Sequence, residues 1–100
     1  MPHPLPAPLH DALLPTTSAW PEGVQAVFTT RQAGCSAPPY NSWNQGDHVG
    51  DAHEQVKANR RLLAERTGAR PVFLNQVHGC DVVELRADTP DGTVADACWT

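Results

Sequence analysis

One stretch of this sequence, from Asp51 to Gly68, has the apolar spacing of an α-helix and is the clearest element of the chain. The residues that share one face of this helix are Ala52, Val56, Asn59, Leu62 and Leu63. Asn59 is an amide in an otherwise apolar stripe, and a buried amide normally has hydrogen-bond partners. We therefore expect Asn59 to tie the helix to a neighbouring loop. Arg60 is expected either to do the same or to bind an anion.

Both ends of this helix carry residue types that helix ends favour. Asp51 is expected to accept hydrogen bonds from the first free backbone N–H groups, and Glu54, three residues later, resembles a capping box. Gly68 suits the left-handed conformation that often follows the last turn. The sequence therefore predicts a helix that begins at an Asp51 cap and ends before Gly68.

Further segments are rich in β-branched and apolar residues, which favour strands. Val24–Thr30 is expected to form one strand. Val72–Val77 and Val82–Leu85 are expected to form two more, separated by a tight turn at His78–Asp81. Thr93–Cys98 has the composition to begin another strand.

The first residues predict an extended, proline-rich leader. Closely spaced prolines remove backbone donors and disfavour helix, and here they are Pro2, Pro4, Pro6, Pro8 and Pro15. We assign residues 1–19 to this leader and residues 20–100 to one domain. Residues 95–100 carry neither a polar tail nor a helix cap, so we expect this domain to be a truncated part of a longer one.

The composition argues against several classes of partner. The 100 residues make at most one small domain, with a net charge of -4 and a pI near 5.6. No basic patch stands out, which argues against nucleic acid as the main partner. No apolar run is long enough to span a bilayer, and no secretory signal is evident. Three irregularly spaced cysteines do not form a disulfide framework, so a reducing cytoplasm fits best.

Turn-forming residues recur from Cys35 to Gly50, which predicts a long loop. The side chains it offers are Tyr40, Asn41, Ser42, Trp43, Asn44 and His48. This mixture suits an aromatic polar ligand. It equally suits a surface loop that is pinned by Tyr40 and Trp43 in the core.

His78 is the candidate for chemistry in the second half of the chain, because it stands where a predicted strand stops. Histidine is the commonest metal ligand and the usual general base near neutral pH. The local pattern alone favours a turn histidine in contact with water. Cys80 and Cys98 are further possible zinc ligands, but their spacing is not that of a structural zinc motif. Nothing in the sequence places the Cys80 thiol beside the His78 ring as a nucleophile and its base.

The order of several short motifs adds a resemblance. They are Thr30-Arg31, Gly34-Cys35-Ser36, Pro39-Tyr40, Ser42-Trp43-Asn44-Gln45-Gly46, His48-Val49-Gly50-Asp51, Asn59-Arg60, Gln76-Val77-His78-Gly79 and Ala95-Asp96-Ala97. The series strongly resembles the YfiH family, also called the peptidoglycan editing factor, laccase-domain or multicopper polyphenol oxidase family. The match runs from about Trp20 to Ala97 and covers the N-terminal part of a typical family member, well under half of its length.

The resemblance implies an α+β fold with mixed sheets and flanking helices. It implies a zinc site whose first ligand is the histidine of Gln-Val-His-Gly, here His78, which is also the catalytic candidate. The other family ligands lie in Thr-Ala-Asp-Cys and His-Ala-Gly-Trp, which this sequence does not contain and which are expected after Thr100. Within the matching motifs, Asn44, Arg60 and Gln76 are the candidate substrate-binding residues.

The resemblance also implies an activity for the full-length parent. The expected function is a zinc-dependent purine nucleoside phosphorylase for adenosine, inosine and methylthioadenosine that also deaminates adenosine. Its partners would be a purine nucleoside and phosphate. The alternatives are a copper-dependent polyphenol oxidase, a peptidoglycan-editing hydrolase, and a binding module without catalysis. A zinc-bound water suits deamination, whereas copper oxidation needs several His and Cys ligands, of which this stretch offers few.

Overall fold

A computed structural model describes residues 12–15 and 20–100 of the chain. The chain divides into two compact units at Ala69 and Arg70. The described elements are β1 (Leu13–Pro15), β2 (Val27–Thr29), α1 (His53–Thr67), β3 (Val82–Glu84) and β4 (Ala97–Trp99). One two-stranded sheet is antiparallel and the other is parallel, so the α+β prediction is confirmed.

The predicted leader falls mainly on residues 1–11 and 16–19, which lie outside the described residues. Between them, β1 pairs antiparallel with β2, and Leu13 has no exposed surface. The sequence did not predict β1, because three residues are too few to show an apolar alternation. The strand predicted at Val24–Thr30 is confirmed in a shorter form, as β2.

The core of the first unit lies between this sheet, α1 and the long loop. Its buried residues are Ala12, Leu13 and Trp43, with Val27, Ala33, Leu62 and Leu63 packed against them. Trp43 is only 4% exposed, and its indole N–H donates to the Asn59 carbonyl at 3.0 Å. Tyr40 is half-buried and donates its hydroxyl to the Val49 carbonyl at 2.8 Å. The geometry therefore favours a loop pinned by Tyr40 and Trp43.

The predicted helix is confirmed, but its N-terminal cap is not. Gly68 follows the last turn with φ of 68° and donates its N–H to the Ala64 carbonyl, as expected of a left-handed C-cap. Ala52 occupies the N-cap position, and no side chain caps the helix there. The capping-box prediction for Asp51 and Glu54 is wrong, because one Asp51 carboxylate oxygen accepts from the preceding loop and the other accepts from the Ala52 N–H, before the first helical residue.

Asn59 ties α1 to the loop, as its place in the apolar stripe predicts. It has no exposed surface. Its side-chain oxygen accepts from the Cys35 N–H at 2.9 Å. Its side-chain nitrogen donates to the Ser36 hydroxyl at 2.8 Å and to the Asn44 carbonyl at 2.7 Å. One buried amide thus satisfies polar groups from two segments of a loop that has no strand partner of its own.

Replacing Asn59 by alanine should lower the free energy of unfolding by roughly 3 kcal/mol, because several buried polar groups would lose their partners at once. Urea unfolding of the two proteins measures this difference. Lys57→Ala is the matched control, since Lys57 is exposed on the same helix. An Asn59→Ala protein as stable as the Lys57→Ala protein would contradict this role for Asn59.

Gly34 stands where this segment passes close to the Asn59 side chain of α1. Its φ of +87° lies in the region that favours glycine. A Cβ there would lie 2.7 Å from the Asn59 side-chain oxygen and 2.7 Å from Trp43 Cα. Both the backbone conformation and the close approach therefore require glycine.

Gly34→Ala and Gly23→Ala separate these two requirements. Gly23 has a similar φ of +83°, but nothing lies within 4 Å of a Cβ there. Both substitutions should cost about 1 kcal/mol for the left-handed backbone. Gly34→Ala should cost roughly 1–3 kcal/mol more, because the added methyl group overpacks the site. Equal losses in a denaturant titration would show that the close approach is unimportant.

The second unit is organised along its last segment. β3 and β4 are parallel, with Val82 opposite Ala97. Asn75 forms an isolated parallel bridge with Val94. The strand predicted at Val82–Leu85 is confirmed as β3. The strand predicted at Thr93–Cys98 is confirmed only toward its end, as β4.

The prediction of a strand at Val72–Val77 is wrong, apart from the bridge at Asn75. An apolar β-branched run meets the local requirement for a strand but does not specify a partner. More residues separate Asn75 from Val82 than separate Val94 from Ala97. Residues 76–81 must therefore loop out between the two pairings.

Candidate functional site

The candidate site of the second unit is the loop at residues 76–81, with His78 at its turn. His78 has φ of 59°, which is rare for a residue other than glycine. This conformation costs roughly 1–2 kcal/mol, so the loop needs outside support to hold it. The His78 side chain is exposed.

The support comes from the carboxylate of Asp96. It accepts from three successive backbone N–H groups, those of Val77 at 3.1 Å, His78 at 2.9 Å and Gly79 at 2.9 Å. The Gly79 N–H, followed by that of Val77, holds the pKa of the Asp96 carboxyl below its usual value, and the His78 N–H and charge act in the same direction. The backbone N–H groups of the turn thus converge on one carboxylate, that of Asp96.

The main chain of Asp96 is fixed on both sides of the same loop. Its N–H donates to the Asp81 carbonyl at 3.1 Å. Its carbonyl accepts from the Gln76 side-chain nitrogen at 3.3 Å. The preceding residue, Ala95, is 1% exposed. Gln76, a predicted substrate-binding residue, is exposed and lies in the loop itself, which its side chain ties to Asp96. Its substrate role stays a prediction.

Zinc is the cofactor that the resemblance implies. Among the described residues, one of the expected zinc ligands is present, His78. Cys80 and Cys98 are exposed and free. Within residues 12–15 and 20–100, no group of three or more His, Cys, Asp or Glu side chains is placed to hold a metal ion. Catalytic zinc sites use three protein ligands. His78 therefore fits as a single ligand, and its metal role stays a prediction.

In the first unit, Asn44 and Arg60 lie along the contact between the long loop and α1. The Asn44 side chain donates to the Gly46 carbonyl at 3.0 Å and accepts from the Gly46 N–H at 3.1 Å. Arg60 Nε donates to the Gln45 carbonyl at 2.8 Å, and its terminal nitrogen lies 3.6 Å from Asp47. Both residues hold the loop, which confirms the tying role predicted for Arg60. Substrate binding by either residue stays a prediction.

Asp51 also holds the long loop in place. The Ser36 hydroxyl, which donates to Asp51 at 2.5 Å, holds the pKa of that carboxyl below its usual value. The Asn44 amide at 3.2 Å and the Ala52 N–H at 2.7 Å act in the same direction, while burial opposes them. Asp51 therefore anchors the loop in its ionised form.

Residues 25–100 match the profile of the family described as multi-copper polyphenol oxidoreductase laccase. The chain belongs to this family. The match covers both units, including the Asn59-Arg60 and Gln76–Gly79 motifs. This membership confirms the resemblance that the order of motifs indicates.

Relatives in this laccase-like family carry a different name. The chain is 46% identical over 86 residues to a purine nucleoside phosphorylase of Pseudomonas aeruginosa, covering 84% of the chain and 35% of that protein. It is 43% identical over 82 residues to the purine nucleoside phosphorylase YfiH of Escherichia coli, covering 80% and 34%. The chain thus spans about a third of the length of these relatives.

A solved structure supports the fold. A Neisseria meningitidis protein of the DUF152 family superposes with a TM-score of 0.65 at 33% identity, covering 81% of this chain and 35% of that one. The predicted YfiH-like fold is therefore confirmed for this part. No helix in residues 12–15 and 20–100 combines the length and the apolar character needed to cross a membrane. A cytoplasmic location stays a prediction.

Sequence reasoning missed the role of Asp96. Its only signal was its place in the Ala95-Asp96-Ala97 motif, which does not indicate a function for its carboxylate. The hydrogen bonds of the Asp96 carboxylate reach residues 17 to 19 positions away in the chain, so no local pattern reveals them.

The lowered pKa of Asp51 predicts how stability depends on pH. Because the folded pKa lies below the unfolded value near 3.8, the ionised carboxylate stabilises the folded state above that value. This stabilisation should be lost as the pH falls below 3.8 and passes through the folded pKa. Asp51→Asn should flatten the acid limb of a plot of unfolding free energy against pH. Asp88→Asn, which removes a charge from an exposed turn, should leave that limb steeper than Asp51→Asn does.

Proposed function

We propose that this chain is part of a purine nucleoside phosphorylase. Support comes from curated relatives with that name, which are 43–50% identical over 73–84% of the chain. In such a reaction, a phosphate oxygen displaces the purine from C1′ of the ribose. The substrates are adenosine, inosine and methylthioadenosine, and adenosine is also deaminated.

The observation that carries a catalytic role for this chain is the His78 turn. An exposed imidazole stands on a backbone that three hydrogen bonds to Asp96 hold in place. A ligand or general base needs this combination of fixed position and access. His78 is therefore the catalytic residue and a zinc ligand, together with ligands from outside the described residues. Bound zinc would polarise a substrate oxygen or lower the pKa of a water.

Arg60 is the phosphate-binding candidate of the first unit. Guanidinium groups recognise phosphate through paired N–H donors. The Nε bond to Gln45 and the nearby Asp47 orient the side chain, which is 21% exposed. Asn44 supports the same loop, and Gln76 flanks His78 in the second unit. Substrate binding is proposed for Asn44 and Arg60 in the first unit and, separately, for Gln76 in the second.

A second candidate function follows from the family description, which names a multi-copper polyphenol oxidoreductase. In that case, copper would replace zinc as the cofactor and a phenol would replace the nucleoside. Copper sites of this kind draw on several His and Cys ligands. Oxygen consumption with phenolic substrates and copper distinguishes this candidate from the first.

The direct test uses the full-length protein with adenosine and phosphate. Formation of adenine together with ribose 1-phosphate is the expected result, with hypoxanthine from inosine. Inosine formed from adenosine without phosphate would report the deaminase activity. If no metal loading yields any of these products, the proposed function is wrong, and a binding module without catalysis becomes the better account.

His78→Ala in the full-length protein should abolish zinc binding and nucleoside turnover with little change in thermal stability. The imidazole is exposed, so its removal leaves no cavity. Metal analysis of the purified protein and a product assay measure the two effects. His53→Ala is the matched control, since His53 is exposed at the start of α1. Full zinc content in His78→Ala would remove His78 from the site.

A further inference from the structure

The backbone N–H of His78 donates a hydrogen bond to the Asp96 carboxylate, and the proposed reaction does not itself require this bond. All the hydrogen bonds of the Asp96 carboxylate among the described residues come from backbone N–H groups, those of Val77, His78 and Gly79. The carboxylate therefore fixes the peptide that carries the imidazole and leaves the ring to other partners. This arrangement differs from a carboxylate that bonds directly to a histidine ring.

We propose that Asp96 is the positioning residue for His78, fixing the left-handed turn that presents its imidazole to metal and substrate. The inference rests on the proposed role of His78 and extends it to a residue that never touches the reacting atoms. It predicts that loss of the Asp96 carboxylate impairs the function of His78 more than it lowers the stability of the unit.

The chemistry of the acceptor suits the turn. Three N–H groups converge on two oxygens, with Val77 and Gly79 sharing one oxygen and His78 taking the other. An ionised carboxylate only accepts hydrogen bonds, so it matches this set of donors. An asparagine at the same position would turn an NH₂ group toward at least one N–H group. Even this isosteric change should therefore disturb the turn.

Asp96 is itself held in place by its neighbours in the chain. It lies between the bridge at Val94 and strand β4, and the chain is bonded on either side of it: the Ala95 N–H donates to the Asn75 carbonyl at 3.3 Å, and Ala97 pairs with Val82. Its own N–H donates to the Asp81 carbonyl, at the far end of the loop. Asp96 is thus a fixed point on the paired segment, and the loop is shaped around it. The φ of 59° at His78 depends on this anchor, because histidine has little intrinsic preference for it.

The same unit offers a matched control. The Asp91 carboxylate accepts from the Phe73 N–H at 2.8 Å, which is also a carboxylate bond to the backbone. Phe73 precedes Asn75 and Asp91 precedes Val94, so this bond lies before the Asn75–Val94 bridge and outside the 76–81 loop. Asp91→Asn should therefore report the structural cost of losing such a bond without affecting the His78 turn.

The experiment compares Asp96→Asn, Asp96→Ala and Asp91→Asn in the full-length protein, with Zn²⁺ and Co²⁺ as probes. Zinc affinity is measured by chelator competition, and the geometry of the site by the visible absorption of bound Co²⁺. The expected result is a loss of zinc affinity of about tenfold or more for Asp96→Asn, a larger loss for Asp96→Ala, and an altered cobalt spectrum. Asp91→Asn should keep the wild-type affinity and spectrum, even where its thermal unfolding temperature falls as much.

A second readout needs no metal and uses the isosteric Asp96→Asn, which is the variant best suited to fold. The backbone chemical shifts of His78 in the metal-free, isotope-labelled protein report its φ. They should show the left-handed conformation in the wild type and in Asp91→Asn, and move away from it in Asp96→Asn. Unchanged His78 shifts would overturn the proposal whatever the metal measurements give.

The outcomes also separate this inference from the proposed function. If the wild type binds zinc through His78 but the Asp96 variants bind it equally well, the positioning role is wrong and the proposed function stands. If equal losses follow from Asp91→Asn and Asp96→Asn, the role of Asp96 is merely structural. If His78→Ala retains its zinc, the metal role of His78 fails, and Asp96 has no ligand to position.

Discussion

The carboxylate of Asp96, which accepts from the backbone N–H groups of Val77, His78 and Gly79, is the interaction on which the candidate site depends. The loop that carries His78 has no strand pairing of its own between Asn75 and β3. The Asp96 side chain therefore satisfies backbone N–H groups that pairing with a neighbouring strand satisfies in a sheet. His78 keeps its rare backbone conformation inside the turn that this carboxylate holds.

In the first unit, a neutral side chain holds an irregular loop in the same way. The buried side chain of Asn59 bonds to Cys35, Ser36 and Asn44, and so holds a long loop against α1. In both units a polar side chain on a paired or helical segment satisfies main-chain groups of an irregular one. This arrangement explains how a chain with short strands and one described helix orders the loops that carry its family motifs. Loops held in this way can place functional groups as firmly as regular elements do.

Local patterns predicted the parts of this fold that depend on near neighbours. The helix α1, which lies within the predicted stretch from Asp51 to Gly68, follows from apolar spacing along the sequence. The loop contacts of Asn59 follow from its place in that stripe, because a buried amide needs partners. Leu13 in β1 and Asp96 were missed, since their partners are distant in the chain. The strand at Val72–Val77 was predicted wrongly for the same reason, because composition favours a strand but does not supply its neighbour. His78 was a candidate because it stands where a predicted strand stops, and the order of motifs implied its metal role; its geometry came from the structure.

The central claim is that the turn held by Asp96 presents His78 as a metal ligand of a purine nucleoside phosphorylase. Anomalous diffraction at the zinc absorption edge, from crystals of the zinc-loaded full-length protein, tests it most directly. The account predicts an anomalous peak about 2.0–2.1 Å from a ring nitrogen of His78, with the Asp96 carboxylate still bonded to the turn. A zinc peak elsewhere, with no metal at the His78 ring, would contradict it.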